Sequence, residues 1–181
     1  MASLIEASCL MAIIFALTVE LERPEGVLEF AQWLRLQETT VVIDEYEIKM
    51  HPLDLTPMTF TSHTYHHVNV IPACVSYGLA WERNQSRLRL SSSQLSRLGQ
   101  GLYQLIRDAP HYRMAIVGWE TDLFLAIDEL STDYAEDIKD GLLEGLVVSE
   151  TLSQQLPKSS HWVPFDKSHL WIPYRGSKGD D

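Results

Sequence analysis

Three histidines close together, His63, His66 and His67, are the residues of this chain whose type and spacing come nearest to a metal site. A zinc site takes three or four preorganised ligands, and His51, His111, His161 and His169 stand elsewhere to complete one. The spacing argues the other way. The segment from Thr59 to Val70 is β-branched and aromatic and reads as a strand. On a strand His63 and His67 share a face but stand roughly 13 Å apart, and His66 points to the other face. The expectation is therefore no bound metal and no cofactor. A small metal-dependent, hydrolase-like enzyme built on His63, His66 and His67 is the alternative.

Other chemistry-bearing groups read the same way. Asp44, Glu45 and Glu47, and Asp128 with Glu129, are paired carboxylates in sequence. Acid–base catalysis needs two carboxyls tuned apart within one cleft, whereas neighbours on a strand face opposite ways. They read as solvated faces, with Lys49 beside Glu45 and Glu47. Cys74 lies among small apolar neighbours (Pro72-Ala-Cys-Val-Ser), unlike the electropositive setting a reactive thiolate needs. Ser91-Ser92-Ser93 lacks the Gly-x-Ser-x-Gly turn of a serine nucleophile and reads as a helix cap. Gly99 and Gly101 fall inside a helical pattern, so no phosphate-cradling loop is predicted.

Charge is the stronger signal. Between residues 81 and 113, Arg83, Arg87, Arg89, Arg97, Arg107 and Arg113 face only Glu82 and Asp108, a net +4. From 114 to 156, Glu120, Asp122, Asp128, Glu129, Asp133, Glu136, Asp137, Asp140, Glu144 and Glu150 face Lys139 alone, a net −9. Opposite fields side by side either pair within the fold or meet a charged partner. Arg87 and Arg89 on one strand face, with Arg97 and Arg107 on the polar side of the next helix, are expected to form a basic patch. The protein's own acidic segment is its leading counterpart. Asp133, Glu136, Asp137 and Asp140, together with Trp162, Trp171 and Tyr174, are the candidate partner-binding residues.

Composition bounds the class. The 181 residues are 45% hydrophobic and 22% charged, which is ordinary for a globular domain. A formal charge of −11 disfavours a nucleic-acid surface, since phosphate binding is driven by Lys and Arg releasing counterions. Two cysteines, Cys9 and Cys74, make neither a disulfide framework nor a zinc pattern and suit a reducing, cytoplasmic setting. The apolar run Leu10–Val19 has no preceding Lys or Arg, follows Glu6, and is shorter than the roughly 20 residues a bilayer requires. It reads as a buried strand, and no membrane association is expected.

These residues must be positioned by a predicted α+β domain covering 1–175, followed by a disordered tail at 176–181. The expected architecture is a mixed, mostly antiparallel sheet with two main helices and a docked aromatic C-terminal segment. Pro24 at a helix start and apolar Val27, Phe30, Ala31 and Leu34 predict a helix to Gln37. Thr39–Met50 reads as one strand; Val75–Arg83 and Arg87–Leu90 read as antiparallel neighbours. Leu95, Leu98, Leu102, Leu105 and Ile106 make the second helix, stopped by Ala109-Pro110. Tyr112–Trp119 and Leu123–Leu130 read as strands. A helix capped by Thr132 ends at Gly141, and Leu146–Val148 precedes a helix capped by Ser149. Trp162, Phe165, Trp171 and Tyr174 are too large to leave in water, which predicts that the last segment docks. The function these observations support is a macromolecule-binding protein without enzymatic activity, of the adaptor, inhibitor or immunity type. Its acidic surface would meet a protein partner, a basic one by charge.

Overall fold

The computed structural model describes residues 12–37, 39–54, 58–60, 63–121 and 127–176. At its centre is β1 (Phe15–Leu21), every residue of which is buried. It pairs antiparallel with β5 (His63–Pro72) on one side and β6 (Met114–Trp119) on the other. The antiparallel sheet runs outward through β3 (Tyr46–Asp54) to β2 (Thr40–Ile43). On the other side it runs through β7 (Val147–Ser149) and β9 (His169–Trp171) to β8 (Val163–Pro164). β4 (Met58–Phe60) pairs with β5 off this path. No helix among the described residues is long and apolar enough to cross a membrane.

Alternation along β1 sets the layers. Phe15, Leu17, Val19 and Leu21 face the main core, where α1 (Pro24–Arg35) and α2 (Ser92–Leu105) bring Phe30, Leu34, Leu98, Leu102 and Tyr103. Pro24 opens α1, and Ser91 with Gln94 closes a reciprocal capping box on α2, which satisfies donors that the first turn leaves unpaired. A second cluster gathers Met114, Leu146 and Val148 against Leu130 of α3 (Ile127–Ser131), Ile138 of α4 (Ala135–Asp140) and Leu152 of α5 (Glu150–Ser153). The fold is thus the α+β architecture of the sequence reading, with two main helices on one large sheet.

The C-terminal segment docks, as its aromatics predict. Phe165 and Trp171 pack edge-on to Tyr103, and Tyr174 lies tilted against the same ring. Tyr174 rests on Gly99, where an added Cβ would stand 2.7 Å from its ring. The glycine inside α2 is therefore the seat of the tail. Gly176 is described, and the rest of the expected tail lies outside the described residues.

Four local readings are corrected. Thr39–Met50 is a hairpin, β2–β3, because Asp44 takes a left-handed conformation (φ 52°) and turns the chain. Its second strand also passes the expected end at Met50, since β3 runs on to Asp54. Val75–Arg83 and Arg87–Leu90 are not strands but a loop containing one 3₁₀ turn at Ala80–Glu82, held by side-chain bonds and by isolated backbone bonds rather than by a ladder. The described part of Leu123–Leu130 is helical, as α3. Thr132 donates to the Asp128 carbonyl instead of capping α4, and Gly141 ends α4 at φ 70° as expected.

Candidate binding surface

The centre of the acidic window, residues 127–140, folds into the α3–α4 pair, which buries Leu130 and Ile138 and turns most of its acids outward. Asp128, Glu129, Asp133, Glu136 and Asp140 are exposed, and Asp137 is half-buried. Glu136 meets Lys139 at 2.6 Å, whereas Glu129, Asp133 and Asp140 have no cationic partner among the described residues. Leu142, directly after α4, is 63% exposed and edges a cleft shared with Ile116, Leu143, Glu144, Tyr174 and Gly176. A carboxylate-rich helix pair beside an apolar rim can attract a cationic protein surface by its field and seat it by burial.

The arginines are spent differently. Arg97 holds Asp44 through two bonds of 2.7 and 2.6 Å, and with Gln94 it pulls the Asp44 carboxyl down to about 2. Arg107 donates to the Phe165 carbonyl at 2.7 Å and covers that ring. Arg113 approaches the buried Glu20 to 3.6 Å. Arg87 donates from Nε to the Val75 carbonyl, and Arg89 is exposed. Arg87, Arg97 and Arg107 therefore engage three different elements. The ion pairs of the described residues bind the arginine window to Glu20 and Asp44 rather than to the acidic segment, which corrects the expectation of direct pairing between the two windows.

Among the aromatic candidates, Trp171 and Tyr174 belong to the main core while Trp162 packs on the second cluster. Burial pushes the Tyr174 phenol, with Glu144 nearby, up to about 12. The three histidines sit on β5, where His67 stands opposite Glu20 and His66 opposite Leu21, so these two face opposite sides of the sheet. Among the described residues, no group of three or more His, Cys, Asp and Glu is gathered closely enough to hold a metal ion. Cys9 lies outside the described residues. Cys74 is half-buried, and that burial together with Glu82 pushes its thiol up.

Two polar groupings escaped the sequence reading. On the face of β1 away from α1 and α2, Glu20 is 3% exposed, with His67 Nε2 at 3.7 Å and Arg113 Nη1 at 3.6 Å. Beside them Thr18 and Thr121 share a hydrogen bond of 2.8 Å. The one signal was an acid inside an apolar strand, Leu17-Thr-Val-Glu-Leu21. Near the sheet's other end, His169 lies 3% exposed and stacked on Tyr112, its Nδ1 3.0 Å from Asp166 and its Nε2 3.0 Å from the Tyr112 carbonyl. Both ring nitrogens thus lie within hydrogen-bond distance of oxygen atoms. Burial raises the Asp166 carboxyl, but bonds from the Ser168 backbone and from His169 outweigh it and leave the group below its usual range. Ser168 contacts Nδ1 rather than Nε2, so the trio lacks the relay order of a catalytic triad.

No protein-family profile, curated protein or solved structure matches this chain.

Proposed function

We propose that this is a macromolecule-binding protein without enzymatic activity, of the adaptor, inhibitor or immunity type, working in the cytoplasm. It takes a basic protein partner on the acidic α3–α4 surface. One observation carries the reading: among the described residues, the exposed Glu129, Asp133 and Asp140 have no cationic partner and Glu136 meets only Lys139, while most arginines of the preceding window are engaged elsewhere. Such a field gathers a cationic partner and discriminates against acidic ones. The exposed Leu142 adds an apolar contact at its margin.

Affinity capture compares the wild-type chain with the triple variant Asp133→Lys/Glu136→Lys/Asp140→Lys. The expected result is a basic protein retained by the wild type and absent with the variant, while both melt alike. Equal retention by both chains refutes the reading.

A further inference from the structure

The segment between β5 and α2, residues 73–90, carries an unusual surface on a rigid support. Its backbone is fastened from inside. The Cys74 N–H donates to Glu82 Oε1 at 2.8 Å, and the Leu88 N–H donates to the Cys74 carbonyl at 2.8 Å. Tyr77 exchanges backbone bonds of 3.0 and 2.8 Å with Ile13, and Ser76 Oγ accepts from the Phe15 N–H. Val75, Ser76, Leu79 and Glu82 are buried. Glu82, the segment's only acid, is thus turned inward as an acceptor, and every exposed charge left on the loop is positive.

Arg87 is preorganised. Its Nε bond to the Val75 carbonyl (3.0 Å) and the Tyr77 ring beneath it (3.0 Å to the centroid) hold the guanidinium in place. Its terminal nitrogens have no acceptor among the described residues. Arg83 and Arg89 are exposed and likewise have no partner there. Tyr77 and Trp81 stand 44% and 51% exposed on the same loop. Trp, Tyr and Arg are the residues that dominate binding energy at protein interfaces, and a guanidinium already fixed in place loses little freedom on taking up a carboxylate.

We propose that the 73–90 loop is a docking surface for an acidic protein segment, whose carboxylates are taken by Arg87, Arg83 and Arg89 while Tyr77 and Trp81 receive its apolar side chains. A short acidic segment can confine its charge to the arginines of the loop, whereas a nucleic acid carries a phosphate at every nucleotide beyond them along a chain of net charge −11. The surface is distinct from the acidic helix pair and opposite in sign.

The test is fluorescence anisotropy with a labelled peptide, Glu-Glu-Leu-Glu-Glu-Phe, titrated with the full chain at low salt. The expected result is saturable binding, weakened at least about tenfold by Arg87→Ala and also by Arg83→Ala/Arg89→Ala, and unchanged by Arg97→Ala. The double variant touches no bond that fastens the loop, so it stays informative if Arg87→Ala disturbs folding. A flat titration overturns the proposal, as does wild-type affinity in the double variant. Tighter binding of a labelled oligothymidylate would make the loop a nucleic-acid surface instead. Self-association in sedimentation, lost in the double variant, would place a second copy there.

Discussion

Two stretches of this chain carry opposite charge side by side, and the fold uses them in opposite ways. In the window 81–113, Arg97, Arg107 and Arg113 act as fasteners that reach the β2–β3 turn, the C-terminal segment and the buried Glu20. In the window 114–156 the helices α3 and α4 are held by Leu130 and Ile138, and Glu129, Asp133, Glu136 and Asp140 are exposed. The difference follows from side-chain chemistry. A guanidinium on a long stem can cross to another element and donate from several nitrogens, whereas a short carboxylate on an exposed helix face reaches only its own turn. Arg97, Arg107 and Arg113 are thus tied into the fold, whereas Glu129, Asp133 and Asp140 of the helix pair have no cationic partner among the described residues.

If the arginine half is structural, disturbing its buried anchors must destabilise the fold. The largest effect is expected for Phe165→Ala, which removes a 2%-exposed ring that packs on Tyr103 and carries Arg107. A loss of about 3–5 kcal/mol by chemical denaturation is expected. A loss under about 1 kcal/mol would show that the tail only rests on the surface. Arg113→Ala comes next. It leaves the buried Glu20 with His67 alone, so a loss of about 1–3 kcal/mol is expected, reduced from that of a fully buried pair because Arg113 is partly exposed.

Acid sharpens the same contrast. The Asp166 carboxyl is held below its usual range when folded, so its contribution is present above its ordinary pKa of about 4 and disappears as pH falls through the lower folded value. Asp166→Asn should flatten the loss of stability measured by denaturation below about pH 4. An unchanged slope removes the Asp166–His169 pair from the account. The smallest effect belongs to Arg97→Ala. Asp44 should move from about 2 back toward the ordinary value near 4 in an NMR titration, with little change in melting because both groups are exposed.

Legibility in the sequence divided along the same physical line. The helix α2 was readable because its serine cap and leucine spacing are local, and the docked tail because aromatic area must be buried somewhere. The β2–β3 hairpin was missed because the turn rests on a left-handed Asp44 within an otherwise β-branched run. Arg87-Leu-Arg-Leu90 imitates a strand, yet its geometry comes from Arg87 and Leu88 bonding back to Val75 and Cys74. Of the candidate surface, the run of acids was legible as segregated charge, although residues 123–130 read as a strand where the described part is helical. The separation of these acids from the arginines was not legible, since Asp44 and Glu20 are brought to Arg97 and Arg113 only by tertiary pairing.

The proposed role leaves the α3–α4 carboxylates to a partner rather than to the fold. The direct measurement is the association rate of the captured basic partner with the wild-type chain and with Asp133→Lys/Glu136→Lys/Asp140→Lys, across ionic strengths from about 0.1 to 1 M. Over that range the screening length falls from about 10 to about 3 Å. The expected rate drops steeply with salt for the wild type, and the variant folds normally yet associates slowly at every salt concentration. A rate indifferent to both salt and charge reversal would contradict it.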